Sequence, residues 1–182
     1  MVRILTGLFI ILMTASGGKA AFNTERPVYF TIGAGIGYPQ IRLSQFRTPI
    51  AVTATTGAQW RLTNKWALSG SVNALRTFSL GTITGEKATL KFNTIWGSLN
   101  LEYRISGNYR SASFLSVGSG YYHLDRQIDR EIDRLKTPGF SLGLVTHTAL
   151  INRATSLRMT WHLLFRPDDQ PQILTLTLGI LL

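Results

Sequence analysis

Cysteine is absent from the 182 residues, which excludes disulfides, thiol catalysis and cysteine-held metal. Acidic residues are scarce, 9 Asp and Glu against 19 Lys and Arg. That basic excess comes without a dense Lys/Arg block interleaved with aromatics, so nucleic acid is not the indicated partner. An anionic membrane surface suits a basic exported chain better. The three histidines are dispersed without ligand spacing, so no metal site and no cofactor are expected. Beyond the first twenty residues the chain has no long apolar run and no useful apolar stripe of helical period, which leaves strands as the means of building a fold.

Those first residues form a unit of their own. "MVR" is a short basic start, "ILTGLFIILMTA" is too short to span a bilayer comfortably, and "SGGKA" supplies small residues at Gly18 and Ala20. That order is the order of a secretory signal peptide. The reading is a signal peptide over 1–20 with cleavage before Ala21, and one exported domain over 21–182; an N-terminal membrane anchor is the alternative.

In the exported part, apolar residues alternate with polar or small ones again and again. In "VYFTIGAGIGY", Val28, Phe30, Ile32, Ala34, Ile36 and Tyr38 share a face, opposed by Tyr29, Thr31, Gly33, Gly35 and Gly37. The same two-sided pattern recurs in "IAVTATTGAQWRL", "WALSGSVNALRTF", "IWGSLNLEYRI", "FLSVGSGYY", "FSLGLVTHTAL", "SLRMTWHLLF" and the terminal "QILTLTLGILL". That makes eight strands. Three connections are short, at Thr63 to Lys65, "SGNYR" and "INRA"; four are longer, "PQIRLSQFRTP", "LGTITGEK", "DRQIDREIDRLKTP" and "RPDDQPQ". Short and long connections alternate, as in an up-and-down meander.

Opposed residues of an antiparallel pair point to one side, so each turn can be checked against the faces. A three-residue loop from Thr63 to Lys65 sets Trp60 opposite Leu68. With "SGNYR" as loop, Leu101 faces Leu115 and Leu99 faces Val117. With "INRA" as a four-residue loop, Leu150 faces Thr155, Leu144 faces Trp161, Phe140 faces Phe165 and His147 faces Arg158.

The polar face carries Arg61, Asn73, Asn100, Glu102, Arg104, His147, Arg158 and His162 among many Gly, Ser and Thr. Small residues beside long polar ones suit the lumen of an eight-stranded barrel, which is just wide enough for side chains. Trp60, Trp66 and Tyr103 lie by the short turns; Tyr38, Phe78, Phe92, Tyr121, Phe140 and Phe165 lie nearer the long loops. Two aromatic bands are expected at the two interfaces of a bilayer. The fold class is therefore all-β, an eight-stranded antiparallel up-and-down transmembrane β-barrel with its apolar face in lipid. A soluble lipocalin-like ligand-binding barrel, with the apolar face inside, is the alternative.

The signal peptide, "VYFTIGAGIGY", "WRLTNKWALSGSVNAL", "SFLSVGSGYY", "PGFSLGLVTHTAL" and the last strand resemble the small outer-membrane β-barrel proteins of Gram-negative-type bacteria. The resemblance spans about residues 27 to 182 and is one of pattern and layout. It implies residence in the bacterial outer membrane, insertion by the outer-membrane assembly machinery, which reads the last strand, and a monomer. Leu182 stands where that family often has Phe or Trp.

Two groups of residues are candidates for function. Arg61, Glu102, Arg104, His147 and Arg158 form an inward polar cluster, read as a lumen plug of paired charges. An ion or proton path is the competing reading. Arg126, Arg130 and Arg134 recur every four residues in "DRQIDREIDRLK", as do Asp125, Asp129 and Asp133. They would lie on one side of a short amphipathic helix, or on one face of strands that extend the rim. The functional reading is a surface for lipid phosphates or a partner; a solvated loop cap is the plainer one. Small outer-membrane barrels include lipid A deacylases, which use a His and a Ser two residues apart. His147 is followed by Thr148 and Ala149, so that pattern is missing and no catalytic residues are assigned. The expected role is structural or surface-interacting, with outer-membrane lipid or lipopolysaccharide as partner; a lipid A-modifying enzyme is the alternative.

Overall fold

The computed structural model describes residues 27–40, 50–83, 86–107, 111–128, 131–150, 153–165 and 171–182. The expected signal peptide and its cleavage site lie outside these residues, as does Arg130. Eight strands follow one another: β1 (Val28–Gln40), β2 (Ala51–Arg61), β3 (Trp66–Ile83), β4 (Glu86–Gly107), β5 (Ser111–Ile128), β6 (Glu131–Leu150), β7 (Arg153–Leu164) and β8 (Gln172–Leu181). Each is antiparallel to the next, and β8 pairs with β1 to close the barrel.

The alternation read from sequence fixes which way side chains point. Phe30, Ile32, Val52, Val72, Ile95, Leu99, Leu101, Leu178 and Ile180 are exposed on the outer surface. Thr53, Ser69, Asn100, Glu102, Ser116, Ser141, Thr175 and Thr177 are buried inside. This is the reverse of a lipocalin-like barrel, whose apolar face is its core. Along β1 the outer apolar residues run from Val28 to Tyr38. Ten residue steps of about 3.3 Å, tilted by roughly 40°, make a band about 25 Å tall.

Sides are as expected, but two of the three tested registers are not. The first turn has the expected form, with Trp60 opposite Leu68. At the third tight turn Leu150 pairs with Arg153, so only Ile151 and Asn152 lie between the strands. Leu144 then faces Met159, Phe140 faces Leu163, and His147 faces Ser156 in place of Arg158. At "SGNYR" the ladder continues through Ser106 and Gly107, with an irregularity between Arg104 and Ser106. Leu101 therefore faces Val117, and Leu99 faces Ser119. Both shifts are by two residues, and a slip of two keeps every side chain on its own face. Gly107 sits at a φ of 123°, a backbone conformation that suits glycine at the mouth of this hairpin.

Two of the long connections are mostly strand. β3 and β4 stay paired up to Ile83 and Glu86, and β5 and β6 up to Ile128 and Glu131. The described residues of "DRQIDREIDRLK" are therefore strand ends of a hairpin and not helix. Its acids and bases meet across the ladder, Arg126 with Asp133 at 2.8 Å and Arg134 with Asp125 at 3.7 Å. These four strands rise past the ends of β1, β2, β7 and β8 as a one-sided extension of the wall.

At the β1–β8 seam Gly35 lies tight against the backbone of the neighbouring strand. A Cβ there would run into the Leu176 carbonyl and come within 2.6 Å of the Thr177 Cα. The seam also sets a register that can be checked, because the chain has no cysteine of its own. Ala34 lies opposite Leu178, and Tyr38 opposite Leu174. Opposed antiparallel residues fall within disulfide reach. Ala34→Cys with Leu178→Cys should form an intramolecular disulfide that speeds the denatured chain on a non-reducing gel. Ala34→Cys with Leu174→Cys should not, and the opposite result would mean a different seam.

Candidate functional site

The lumen is filled in three layers. Nearest the short turns, Tyr29, Ala112 and Leu181 are buried together with Phe114 and Ala154 packed on them. His147, 2% exposed, belongs to this layer. Its ring lies 6.4 Å from Tyr29 in a stacked arrangement and 5.3 Å from Phe114 edge-on.

The middle layer centres on Glu102, whose side chain is fully buried. Its carboxylate accepts from Ser69 Oγ at 2.6 Å, from Arg158 Nη2 at 2.7 Å, and from Gln59 Nε2. Four strands, β2, β3, β4 and β7, are tied through this one side chain. Above it, Ser141 Oγ donates to Asn100 Oδ1 at 2.7 Å, Ser71 and Ser98 hydroxyls meet at 2.9 Å, and Asn73 Nδ2 donates to Ser71 Oγ at 3.0 Å. Such short polar side chains satisfy one another where bulk water is excluded.

The third layer, towards the long hairpins, is apolar and aromatic. Leu75, Phe92, Trp96, Tyr122, Leu124, Leu164 and Ile173 form one buried cluster. His162 threads it: Nδ1 is 2.8 Å from Tyr122 Oη, Nε2 is 3.4 Å from Thr175 Oγ1, and Trp96 packs edge-on at 5.2 Å. A lumen cavity lined by Thr55, Ser156 and Arg158, and another at the short-turn mouth lined by Arg61, Asn64 and Arg104, measure about 20 Å³ each. That volume holds about one water.

The expected polar cluster is thus brought together only in part. Glu102 and Arg158 form a direct pair, with His147 packed in the layer below. Arg61 turns to its own loop instead, donating through Nη2 to Asn64 Oδ1 at 2.6 Å and through Nε to the Thr63 carbonyl at 3.3 Å. Arg61 and Arg104 line the mouth at the short-turn end. Phe92, assigned to an aromatic belt by its place in the sequence, is 2% exposed inside the lumen. The outer belts keep Trp60 and Trp66 at one end, and Tyr121, Phe140 and Phe165 at the other.

Arg126 and Arg134 of "DRQIDREIDRLK" do not share a face. Arg126 pairs across the hairpin with Asp133, and Arg134 with Asp125. Residues of odd and even number therefore change sides at the turn, so Arg126 points in and Arg134 points out. A spacing of four keeps one face only on an unbroken strand.

The apolar layer towards the long hairpins was missed in the alternation, yet the sequence marks it. Leu75 follows Ala74, Trp96 follows Ile95, Tyr122 follows Tyr121, Leu164 follows Leu163, and Ile173 precedes Leu174. Two apolar neighbours in a strand necessarily put one on each face.

Similar structures have been solved. Neisserial surface protein A matches at 10% identity with a TM-score of 0.57, over 85% of this chain and 97% of that one. The attachment invasion locus protein Ail of Yersinia pestis matches at 12% identity with a TM-score of 0.54, over 85% and 97%. A major outer membrane protein of Thermus thermophilus matches at 12% identity with a TM-score of 0.54, over 86% and 100%. No family model matches the chain, and neither does any curated protein. The fold is that of the small eight-stranded outer-membrane β-barrels.

The Glu102–Arg158 pair makes a measurable statement about the middle layer. Removing one partner of a buried ion pair strands the other and costs about 3–5 kcal/mol; Arg158 is partly exposed, so the lower end applies. Arg158→Met should lower the urea midpoint of the folded barrel in micelles markedly. Adding Glu102→Gln should restore a large part of the loss, because no unpaired charge remains. A loss in the double variant equal to the sum of the Arg158→Met and Glu102→Gln single losses would show that the pair is not coupled.

Proposed function

We propose that this chain is a monomeric outer-membrane protein with a structural or surface-interaction role, whose sealed barrel holds the long hairpins at the membrane surface. The observation that carries this reading is an exposed apolar outer band around a lumen filled along its length. An apolar surface of that extent, wrapped completely around a barrel, is satisfied by lipid. A lumen whose cavities take single waters offers no passage to solutes. The polar cluster of Glu102, Arg158 and His147 then acts as internal packing, with Arg61 and Arg104 closing the short-turn mouth.

The enzyme alternative has little support in this geometry. His147 is enclosed among aromatic rings inside the barrel, where an acyl chain has no access. A surface role has an analogue in a fold neighbour: Ail has been solved in complex with the heparin analogue sucrose octasulfate. A basic chain of the same architecture, with 19 Lys and Arg, is suited to anionic partners of that general kind.

The reading extends to biogenesis. Residues 1–20 act as a cleaved signal, and β8 is the segment read by the outer-membrane assembly machinery. Protein isolated from outer-membrane fractions should begin at Ala21 by N-terminal sequencing; retention of Met1 would replace the cleaved signal with an anchor.

Location and closure can be tested together. The chain should fractionate with the outer membrane and change gel mobility on heating. In planar bilayers it should give no stepwise conductance. Recovery as a detergent-free soluble monomer would overturn the membrane reading, and discrete conductance steps would overturn the sealed lumen.

A further inference from the structure

The outer face of the four tall strands turns from apolar to polar and charged in one zone, before apolar Ile132, 56% exposed, lies beyond Arg134 on β6. On β3 it passes from Val72 and Ala74 to Arg76, and on β4 from Ile95 to Asn93 and Lys91. On β5 it passes from Tyr121 to His123 and Asp125, and on β6 from Phe140 and Pro138 to Lys136 and Arg134. The ladders join these residues into one patch. Arg76 faces Asn93, Asn93 faces Asp125, and Asp125 faces Arg134. In the next row Ala74, Ile95, His123 and Lys136 are opposed in turn. Strands are about 4.8 Å apart, so the row from Arg76 to Arg134 is roughly 14 Å wide.

Charge in this patch is one-sided. Arg76, Lys91, Arg134 and Lys136 are basic, and Asp125 is the acid among them. That acid is engaged by His123 at 3.4 Å and by Arg134 at 3.7 Å. Arg134 remains 72% exposed in its side chain. The other strands carry no such patch among the described residues: their outer faces end at this side in Gln40, Ile50, Phe165 and Gln172. The sign and the position belong together. Directly below the cations, Ile95 is 61% and Tyr121 58% exposed, a surface for acyl chains. A ligand that satisfies both must present an anion immediately above its hydrocarbon.

We propose that the outward patch of Arg76, Lys91, Arg134 and Lys136 binds the phosphate of an anionic membrane lipid in the leaflet on the long-hairpin side, with its acyl chains on the Val72, Ile95 and Tyr121 wall. This rests on the membrane reading above. Arginine and lysine bind phosphate through charge-assisted hydrogen bonds, and two arginines add bidentate geometry. The hairpins are then held upright by lipid on their outer side as well as by the plug beneath them.

The experiment uses the full mature chain folded in zwitterionic micelles, with the heat-induced loss of the folded gel band as readout. The probes are phosphorylated lipid A, the same lipid dephosphorylated, and inorganic phosphate. Phosphorylated lipid should raise the midpoint by several degrees, since a ligand bound only to the folded state stabilises it. The other two probes should leave the midpoint in place. Changing Arg76, Lys91, Arg134 and Lys136 together to Gln should weaken the apparent affinity by about tenfold or more. Changing Lys65 and Arg153 to Gln, at the opposite rim, should not. If the fourfold variant gives no folded band, Lys91→Gln with Lys136→Gln carries the test, because both lie outside the Asp125 ion pairs.

An unchanged shift in the fourfold variant, or in the pair that replaces it, overturns the proposal. So does an equal shift from dephosphorylated lipid, which would mean acyl contact alone, or from inorganic phosphate, which would mean an anion site without a lipid. A chain that stays soluble without micelles removes the membrane reading instead, and that outcome is visible before any lipid is added.

Discussion

Ten residue pairs between β1 and β8, from Thr31 with Leu181 to Gln40 with Gln172, turn an eight-stranded sheet into a tube. Everything else depends on that seam. A sheet whose outer surface is apolar cannot leave an edge open in lipid, where no water replaces a missing backbone partner. The backbone bonding runs one pair further at the Thr31 end of the seam, where Phe30 and Leu182 exchange bonds of 3.3 and 2.9 Å. Close approach needs thin strands, and Gly33, Gly35 and Gly179 supply them on the inner side. Any side chain at Gly35 would meet backbone on β8, which cannot move aside as a side-chain tip can.

Thin walls on one side make room for long side chains from the other. Arg158 and His147, from β7 and β6, reach into a space bordered by Thr31, Gly57, Thr177 and Gly179. This explains how so narrow a lumen holds a guanidinium, a carboxylate and an imidazole at once. It also explains why the carboxylate is Glu102, on β4 across the barrel, and why its neighbours are Ser69 and Gln59. A buried charge needs several donors, and the strands beside it provide them at hydrogen-bond range. The apolar layers at both ends shut water from this centre, which strengthens its hydrogen bonds and raises the cost of losing one.

How much of this could be read beforehand follows from the period of a strand. Side is a property of each residue's number modulo two, so Leu174 to Leu182 and Thr175 to Gly179 were legible as opposite walls without a partner. Register depends on turn length, which one or two residues decide. At Ile151 and Asn152 a tighter hairpin than expected moved Arg158 from opposite His147 to opposite Val145. The arginine still reached the lumen, and it found Glu102 from a strand that is not β4's neighbour. Contacts across a lumen are set by barrel closure, and no local pattern carries them. The apolar layer towards the long hairpins was different. Its signal was local, in doublets such as Ile95–Trp96 and Tyr121–Tyr122, but alternation read one face at a time passes over it.

The same doublets connect the inside of the barrel to its outside. Tyr121 points to the lipid side while Tyr122, one residue on, closes the lumen against His162. Ile95 and Trp96 do the same on the strand beside it. Belt and plug are therefore built from adjacent residues at one level of the wall. Past that level, β3 to β6 continue upward beyond the ends of the other four strands. Among the described residues, Phe92, Leu124 and Leu135 carry the apolar layer on into this region, beside the Arg126–Asp133 pair. The outer side carries its cations just past that level, at Arg76, Lys91, Arg134 and Lys136. The height of the plug and the start of the basic surface are consequences of one boundary, the place where the tall strands leave the hydrocarbon.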